Sequence, residues 1–273
     1  MARHGPLKAV LTVAGSDPSG GAGAQMDLKC FAAAGVHGCS AVTAITVQNT
    51  RGVRSVTAVS PDVVRAQLEA IFDDFDISSM KTGMLHNAPT VRVVARKAAE
   101  QGVPLIVDPV LSASLGAPLS QPGIVEELRR SLMPKALLVT PNIPEAERIA
   151  WMKIRGFDDM ERACQKIKSF GCKSVLLKGG HLGKRGANDL FYDGRFIMFR
   201  GPRLAQKVHG TGCMLSAFTT AFVGKGFPLV EALGMAKKSV TGAIRCSLHV
   251  GGGMRIGDPL RVLRDCSHRS PGK

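Results

Sequence analysis

The stretch AVLTVAGSDPSGGAGAQMDLKCFAAAG, residues 9–35, joins an apolar run to a glycine-rich turn and then to a helical pattern. Its glycines almost match a phosphate-binding loop, but Gly21 stands where that loop has lysine, and Ala22 follows it. They also fail the dinucleotide-binding fingerprint, because Met26 stands at the position of its third glycine. The stretch therefore predicts a strand, a tight turn and a helix, and it leaves open what the turn holds.

Short apolar runs and longer helical patterns continue to alternate along the chain. This alternation is typical of a mostly parallel sheet covered by helices on both faces, so we predict a three-layer αβα fold of the α/β class. The predicted strands cover residues 9–14, 39–47, 78–83, 104–109, 136–140 and 174–179. The helical patterns cover residues 61–75, 88–101, 123–132, 144–152, 158–170, 211–223 and 229–246.

Two segments interrupt this alternation. Residues 54–60 have no helical pattern before them, and we predict that they form a small β flap outside the main sheet and near the active site. Residues 188–200 predict a hairpin that turns at Asp193 and Gly194, because this dipeptide favours the backbone of a tight hairpin turn.

The composition indicates one domain over residues 1–273, with flexible residues only at the extreme termini. Apolar residues make up 45% of the chain, enough for a full core, and no apolar run approaches the ~20 residues that span a bilayer. The seven cysteines have no metal-binding spacing and suit free thiols in a reducing compartment. We therefore predict a cytoplasmic protein with no membrane partner.

The formal net charge of +15 raises the alternative of a nucleic-acid-binding protein. The basic residues are scattered singly, however, and only one tryptophan and one tyrosine are available for base stacking. We favour a basic, solvated surface with no nucleic-acid partner. Retention on DNA or RNA that falls steeply with salt would distinguish the alternative.

Polar side chains recur where the predicted strands end. Ligands of open α/β sheets bind at the carboxyl ends of strands, because loops and helix N-termini converge there. The polar residues at these ends are Ser16, Asp17, Gln48, Asn49, Lys81, Asp108, Asn142, Glu145 and Lys178. Each one alone is more often a turn former or a helix cap. Together, two carboxylates and a lysine suit a nucleoside triphosphate with Mg²⁺.

The stretch HGTGCMLSAFTTA, residues 209–221, is the most specific of these signals. Gly210, Thr211 and Gly212 open an apolar helix, whose free backbone N–H groups predict an anion-binding site. Cys213 lies in the first turn, where the pKa of a thiol falls from its free value of about 8.5. We predict that a partly ionised Cys213 accepts a proton from a substrate hydroxyl. A small buried hydrophobe is the alternative, and it is our interpretation of the other six cysteines.

In their order along the chain, these motifs resemble those of the hydroxymethylpyrimidine and phosphomethylpyrimidine kinases of thiamine biosynthesis, within the ribokinase-like superfamily. The motifs are AGSDPSGGAGAQMDLK, GCSAVTAITVQNTRGV, KTGML, VDPV, TPNIPEAE, LLKGGH and HGTGCMLSA. The resemblance implies an ATP- and Mg²⁺-dependent transferase that phosphorylates 4-amino-5-hydroxymethyl-2-methylpyrimidine and then its monophosphate. A pyridoxal kinase of the same lineage is the first alternative, and a kinase-like fold kept only for ligand binding is the second.

The resemblance also implies a role for each matching residue. Asp27 and Gln48 would hydrogen-bond the aminopyrimidine, and Met84 and Val110 would pack on its ring. Asp108 and Glu145 would organise Mg²⁺, and Lys178, Asn142 and Thr211 would bind ATP. Gly210, Thr211 and Gly212 would form an anion hole, with Cys213 in place of the aspartate base of sugar-kinase relatives.

The chain departs from the family pattern at three positions. Ser114 stands at a usual lysine position, Thr82 replaces an apolar residue, and Met214 stands where threonine is common. These changes bear on substrate preference and loop closure. The predicted flap and an apolar sheet edge also lead us to expect a homodimer.

Overall fold

The computed structural model of the protein describes residues 7–113, 116–180 and 186–261. The expected flexible termini and the departure at Ser114 fall outside these ranges. Nine of the strands form one sheet. They are β1 (Ala9–Ser16), β2 (His37–Asn49), β3 (Gly52–Ala58), β4 (Ile77–Thr82), β5 (Leu105–Val107), β6 (Leu138–Val139), β7 (Val175–Lys178), β8 (Asp189–Tyr192) and β9 (Phe196–Phe199). Their order across the sheet is β3-β2-β1-β4-β5-β6-β7-β8-β9, and β10 (Val208–His209) and β11 (Arg255–Ile256) form a separate parallel pair.

Helices cover the sheet on both faces. They are α1 (Gly23–Ala33), α2 (Pro61–Asp74), α3 (Ala88–Gln101), α4 (Ile124–Glu127), α5 (Ile143–Ala150), α6 (Phe157–Lys168), α7 (Thr211–Gly224) and α8 (Leu229–Arg245). A π-helical turn and a short 3₁₀ turn continue α4, so the predicted helix over 123–132 is present but irregular. Within the described ranges, no helix is both long and apolar enough to cross a membrane.

Two buried apolar clusters lie on opposite faces of the sheet and confirm the three-layer prediction. Leu11 and Val13 of β1 pack in the cluster that α2 to α6 cover, whereas Val10 packs in the cluster that α1, α7 and α8 cover. This alternation follows from the two-residue period of a strand, whose successive side chains point to opposite faces. Both faces of β1 are therefore buried, as expected of a central parallel strand.

The segment predicted as a separate flap belongs to the main sheet, so that part of the prediction is wrong. β2 pairs with β1 only as far as Ile45 and then continues to Asn49. The free edge of this second half of β2 accepts β3 in antiparallel register, with Ala44 opposite Ala58. The β2–β3 hairpin is thus an extension of the sheet. The hairpin predicted over 188–200 is confirmed as β8 and β9.

The strand order places a crevice at the carboxyl ends of β1 and β4. From β1 the chain builds β2 and β3 on one side, and from β4 it builds β5, β6 and β7 on the other. Open α/β sheets bind their ligands at such a point, where the strand order reverses, because the loops that follow the two neighbouring strands run in opposite directions and leave a crevice between them. The site therefore lies where the sequence places most of its polar strand ends.

Candidate active site

Asp108 and Lys178 form an ion pair at the ends of β5 and β7. Lys178 Nζ lies 2.9 Å from Asp108 Oδ1, and Thr140 Oγ1 donates to the same oxygen at 3.2 Å. Ser216 Oγ donates to Asp108 Oδ2 at 3.1 Å from α7. Burial alone would raise the pKa of Asp108, but the charges of Lys178 and Lys81 outweigh it and hold the pKa below its usual value. Asp108 is therefore a fixed negative charge.

The N-terminus of α7 lies directly beside this ion pair. A Cβ added to Gly212 would lie 3.0 Å from Lys178 Nζ and 3.8 Å from Asp108 Oδ2. The helix begins after Gly210, whose φ of 76° is in the left-handed region that favours glycine. The first turn thus presents unpaired N–H groups next to the Lys178 cation, an arrangement that suits a phosphate group.

Asn142 and Glu145 form the capping box of α5. Asn142 Oδ1 accepts from the Glu145 amide at 2.9 Å, and Glu145 Oε2 accepts from the Asn142 amide at 2.9 Å. Burial, with the nearby negative charge of Asp108 adding to it and Lys178 opposing it, raises the pKa of Glu145 to about 7. The structure therefore shows a structural role for the Asn142 side chain, and it brings Glu145 into the electrostatic environment of Asp108.

The chemistry of these donors fits Mg²⁺. Mg²⁺ commonly takes one or two carboxylates and completes its shell with phosphate oxygens and water. Asp108 and Glu145 are such a pair of buried carboxylates; burial, and then the charge of Asp108, raises the pKa of Glu145, and a cation would stabilise its charged form. No cluster of three or more His, Cys, Asp or Glu residues suited to a metal lies in the described part of the chain. Asp108 and Glu145 therefore suit a metal ion whose other ligands are phosphate oxygens and water.

Asp27 does not lie where a ligand can reach it. Its carboxylate and the Lys81 side chain are both fully buried, and Lys81 Nζ lies 2.8 Å from each carboxylate oxygen. Thr12 Oγ1 donates to the same carboxylate at 2.6 Å. The expected direct hydrogen bond from Asp27 to an aminopyrimidine therefore has no support in this arrangement, because tertiary partners occupy both oxygens.

Cys213 is half-buried at the start of α7, and its environment corrects the predicted ionisation. Burial raises the pKa of its thiol to about 12; Asp27 and Asp108 add to this, while Lys81 and the Gly23 amide oppose it. Desolvation therefore raises the thiol pKa by more than the helix N-terminus lowers it. The thiol is protonated at neutral pH, contrary to the partly ionised state predicted from its position.

A hydrogen-bonded network that sequence reasoning missed surrounds Gln48. The side-chain amide of Gln48 lies 2.9 Å from His209 Nε2, and the same ring nitrogen lies 3.1 Å from Asp17 Oδ2. Asp17 Oδ1 accepts from both the amide and the hydroxyl of Ser19. His209 opens the HGTG motif, but nothing in its sequence position indicated that it would meet the end of β2.

Met84 and Val110 lie in one small apolar cluster, Met84 as a buried member and Val110 packed against it. The cluster also contains Ala44, Leu119, Val53, Val56 and Ala113, and so includes both strands of the β2–β3 hairpin. The Met84 methyl group packs so closely on Gly15 that a Cβ there would lie 2.3 Å from it. One wall of the crevice is therefore apolar.

The glycine-rich turn is shaped by its approach to the HGTG motif. A Cβ on Gly210 would lie 2.0 Å from the carbonyl oxygen of Gly21, and a Cβ on Gly21 would lie 2.7 Å from the His209 ring. Gly23 adopts a φ of 59° and lies against the Gly15 carbonyl. The turn needs glycine because two backbone segments meet at van der Waals distance, not because it wraps a phosphate.

A sheet of this order, with an Asp–Lys pair at its strand ends and a Gly-Thr-Gly helix start beside them, defines a small-molecule kinase of the ribokinase-like class. Comparison with known proteins narrows the class. The phosphomethylpyrimidine kinase family model matches residues 17–258. The chain belongs to that family.

Individual relatives agree with this membership. The chain is 43% identical to the hydroxymethylpyrimidine/phosphomethylpyrimidine kinase of Rhizobium meliloti over 89% of this chain and 93% of the relative. It is 44% identical to a thiamine biosynthesis bifunctional protein of Geobacter sulfurreducens over 91% of this chain, but it spans only 51% of that protein. Among solved structures, the pyridoxal kinase of Staphylococcus aureus in complex with pyridoxal superposes with a TM-score of 0.87 at 34% identity, over 94% of both chains.

Proposed function

We propose that the protein transfers a phosphoryl group from ATP to the hydroxymethyl group of 4-amino-5-hydroxymethyl-2-methylpyrimidine, and then to the resulting monophosphate, in thiamine biosynthesis or salvage. The single observation that carries this proposal is the convergence of Asp108, Lys178 and the first turn of α7. It supplies a fixed anion, a fixed cation and free N–H groups within one small volume, as phosphoryl transfer requires.

Lys178 would neutralise the phosphates of ATP. Burial alone would lower its pKa, but the charges of Asp108 and Glu145 raise it well above the usual value. Lys178 therefore keeps its proton and brings a permanent positive charge to the phosphates. The N–H groups at Thr211, Gly212 and Cys213 would hold the oxygens of the transferred group, because no intrahelical acceptor is available to them.

Asp108 and Glu145 would hold Mg²⁺, which supplies charge neutralisation at the phosphates when it is bound. Asp108 is oriented for this by Thr140 and Ser216, which donate to Oδ1 and Oδ2 and leave a second lone pair of Oδ2 for the metal. The capping box orients Glu145 in the same way. Both carboxylates are thus held in place before substrate arrives.

Cys213 would receive the proton of the substrate hydroxyl, but only as a thiolate. Burial raises the pKa of this thiol, so the thiolate is the minor form at pH 7 in the substrate-free protein and must form as the substrate proton is transferred. Proton transfer contributes about 10²–10⁴-fold to such reactions, whereas positioning and charge contribute the rest. We therefore expect Cys213→Ala to lose rate within that range while it keeps its affinity for the pyrimidine.

Pyridoxal is the second candidate substrate, because the pyridoxal kinase of Staphylococcus aureus shares the fold at a TM-score of 0.87. Its ring also carries a hydroxymethyl group, and the apolar wall of Met84 and Val110 would accept either ring. The higher sequence identity to the hydroxymethylpyrimidine/phosphomethylpyrimidine kinases, 43% against 34%, favours the pyrimidine.

A steady-state assay of the purified protein with the pyrimidine, its monophosphate, pyridoxal and ribose separates these functions. We expect the highest kcat/KM with the pyrimidine or its monophosphate, and loss of turnover when EDTA removes divalent cations. Lys178→Met is the matched site variant, and the exposed Lys153→Met is its control. Faster turnover of pyridoxal would contradict the proposed substrate, and equal activity of Lys178→Met and the control would contradict the proposed site.

We also propose a cytoplasmic homodimer built from one domain per chain. The six described cysteines are free thiols, as a reducing compartment maintains them. Ile45 and Val47 are 55% and 52% exposed on the β2–β3 hairpin, and a second copy of this chain would bury them. Light scattering of the native protein and of Ile45→Lys tests the dimer, since a dimer that persists in the variant excludes this surface.

A further inference from the structure

One nitrogen of His209 contacts two polar side chains, and it must treat both in the same way, either as a donor or as an acceptor. His209 Nε2 lies 3.1 Å from Asp17 Oδ2 and 2.9 Å from Gln48 Nε2, the nitrogen of its side-chain amide. A ring nitrogen carries either a proton or a lone pair, so it donates or accepts but does not do both. The state of this nitrogen therefore decides which end of the Gln48 amide can face it.

The carboxylate of Asp17 requires a proton on His209 Nε2. Its side chain is only 4% exposed, and its Oδ1 already accepts from the amide and the hydroxyl of Ser19. Burial alone would raise the pKa of Asp17, but the hydrogen bonds from His209 and Ser19 outweigh it and lower the pKa, so the group is a carboxylate at neutral pH. A carboxylate only accepts hydrogen bonds, and Nε2 must therefore carry the proton that Oδ2 receives.

Only the amide oxygen of Gln48 can face a protonated Nε2. The oxygen and nitrogen of the amide have nearly the same shape. A rotation of about 180° around the Cγ–Cδ bond exchanges them and brings the oxygen to His209 Nε2. The NH₂ group then points away from His209. Gln48 lies at the end of β2, next to the point between β1 and β4 where the strand order reverses, and there the NH₂ group would meet a ligand.

We propose that Asp17 and His209 are positioning residues that fix the Gln48 amide with its oxygen on His209 and its NH₂ group on the substrate. This inference rests on the proposed function. The NH₂ group would donate to the ring nitrogen next to the 4-amino group, and the second lone pair of the oxygen would accept from that amino group. A 4-oxo pyrimidine presents the reverse pattern, N–H and then C=O, and is rejected because donor meets donor and acceptor meets acceptor.

The test exchanges the polarity of Asp17 without changing its shape. In Asp17→Asn, the amide oxygen keeps the Ser19 hydrogen bonds, and the new NH₂ group donates to His209 Nε2. The proton of the neutral ring then moves from Nε2 to Nδ1, Nε2 becomes an acceptor, and the Gln48 amide reverses. We expect the ratio of kcat/KM for the 4-amino substrate to kcat/KM for its 4-oxo analogue to fall about a hundredfold, since two hydrogen bonds change sign. Ser19→Ala, which leaves the carboxylate in place, should change the ratio less than about threefold.

The ¹⁵N spectrum of the His209 ring in the full-length protein provides a readout that needs no turnover. We expect a protonated Nε2 in the wild type and an unprotonated Nε2 in Asp17→Asn. An unprotonated Nε2 in the wild type, or an unchanged substrate ratio in a folded Asp17→Asn protein, would overturn the inference. If the wild type phosphorylates neither pyrimidine, the proposed function fails, and the ¹⁵N spectrum still decides the orientation of the network.

Discussion

The buried ion pair between Asp27 and Lys81 makes the sharpest prediction about stability. Both side chains have zero exposure, and Lys81 Nζ contacts each carboxylate oxygen at 2.8 Å. Burial alone would lower the pKa of Lys81, but the charge of Asp27 outweighs it and keeps the pKa above its usual value. Burial raises the pKa of Asp27 even though the charge of Lys81 opposes it, so the Asp27 charge depends on Lys81 as its partner.

Replacement of one partner leaves the other charged group buried and unpaired. We expect Lys81→Met to lower the free energy of unfolding by about 3–5 kcal/mol, a large part of the ~5–15 kcal/mol of a typical domain. With a denaturant dependence of about 2–3 kcal/mol per molar urea, the unfolding midpoint would fall by about 1–2 M. Far-UV circular dichroism in urea at pH 7 measures this shift.

The double variant separates pairing from packing. Asp27→Asn with Lys81→Met removes both charges, and the asparagine oxygen can still accept from Thr12. We expect the double variant to be about 2–3 kcal/mol more stable than the sum of the two single effects. Arg65→Met is the control, because Arg65 pairs with Asp62 on an exposed face where the side chains are 48% and 88% accessible, and it should leave the unfolding midpoint nearly unchanged. Additive single effects, or a Lys81→Met cost close to that of the control, would refute the reasoning.

Three further changes test local features of the site. Because burial raises the pKa of the Cys213 thiol to about 12, its alkylation by iodoacetamide should rise about tenfold per pH unit from pH 7 to 9 without a plateau, as followed by peptide mass spectrometry; a plateau near pH 7 would contradict a raised pKa. Gly210→Ala should reduce kcat/KM at least about tenfold, because its Cβ would meet the Gly21 carbonyl oxygen at 2.0 Å. Gly102→Ala is the control: Gly102 has a φ of 63°, but its Cβ would have no atom within 4 Å. This control should cost only about 1 kcal/mol of stability and leave kcat unchanged. Thr82→Val should stabilise the protein by about 1 kcal/mol in urea unfolding, since the Thr82 hydroxyl is buried without a partner among the described residues; destabilisation would indicate a hydrogen bond to water.

The strand-end residues of the site could be predicted from the sequence because parallel strands impose a simple rule. Their carboxyl ends meet at one edge, so polar residues that follow apolar runs must converge, whatever the register of the sheet. Asp108 and Lys178 illustrate this, since they are 70 residues apart in sequence and meet at 2.9 Å. The pairing of β3 with β2 did not follow from such a rule, because it depends on how far β2 extends beyond β1.

Side-chain orientation and ionisation could not be predicted in the same way. Asp27 was expected to face the substrate one turn into its helix, but its direction is set by Lys81, a partner 54 residues away on β4. The Cys213 thiol was expected to ionise because helix N-termini favour anions, but the cost of burial in this environment is larger. Both outcomes depend on which groups surround a side chain, and only the tertiary structure supplies that information.

The glycine-rich turn of residues 15–23 resembles a phosphate-binding loop in sequence, but it needs its glycines for a different reason. A phosphate-binding loop uses glycine so that backbone can approach a ligand, and this turn uses it so that backbone can approach Gly210 and His209. In the proposed site, the cation that such a loop carries on its own lysine would be supplied by Lys178, beside the α7 N-terminus that the turn packs against. Because Asp17 belongs to this turn and holds His209, the turn contributes to the pocket through the orientation of Gln48 instead of through phosphate contact. Changes to its glycines should therefore alter substrate recognition before they alter ATP affinity.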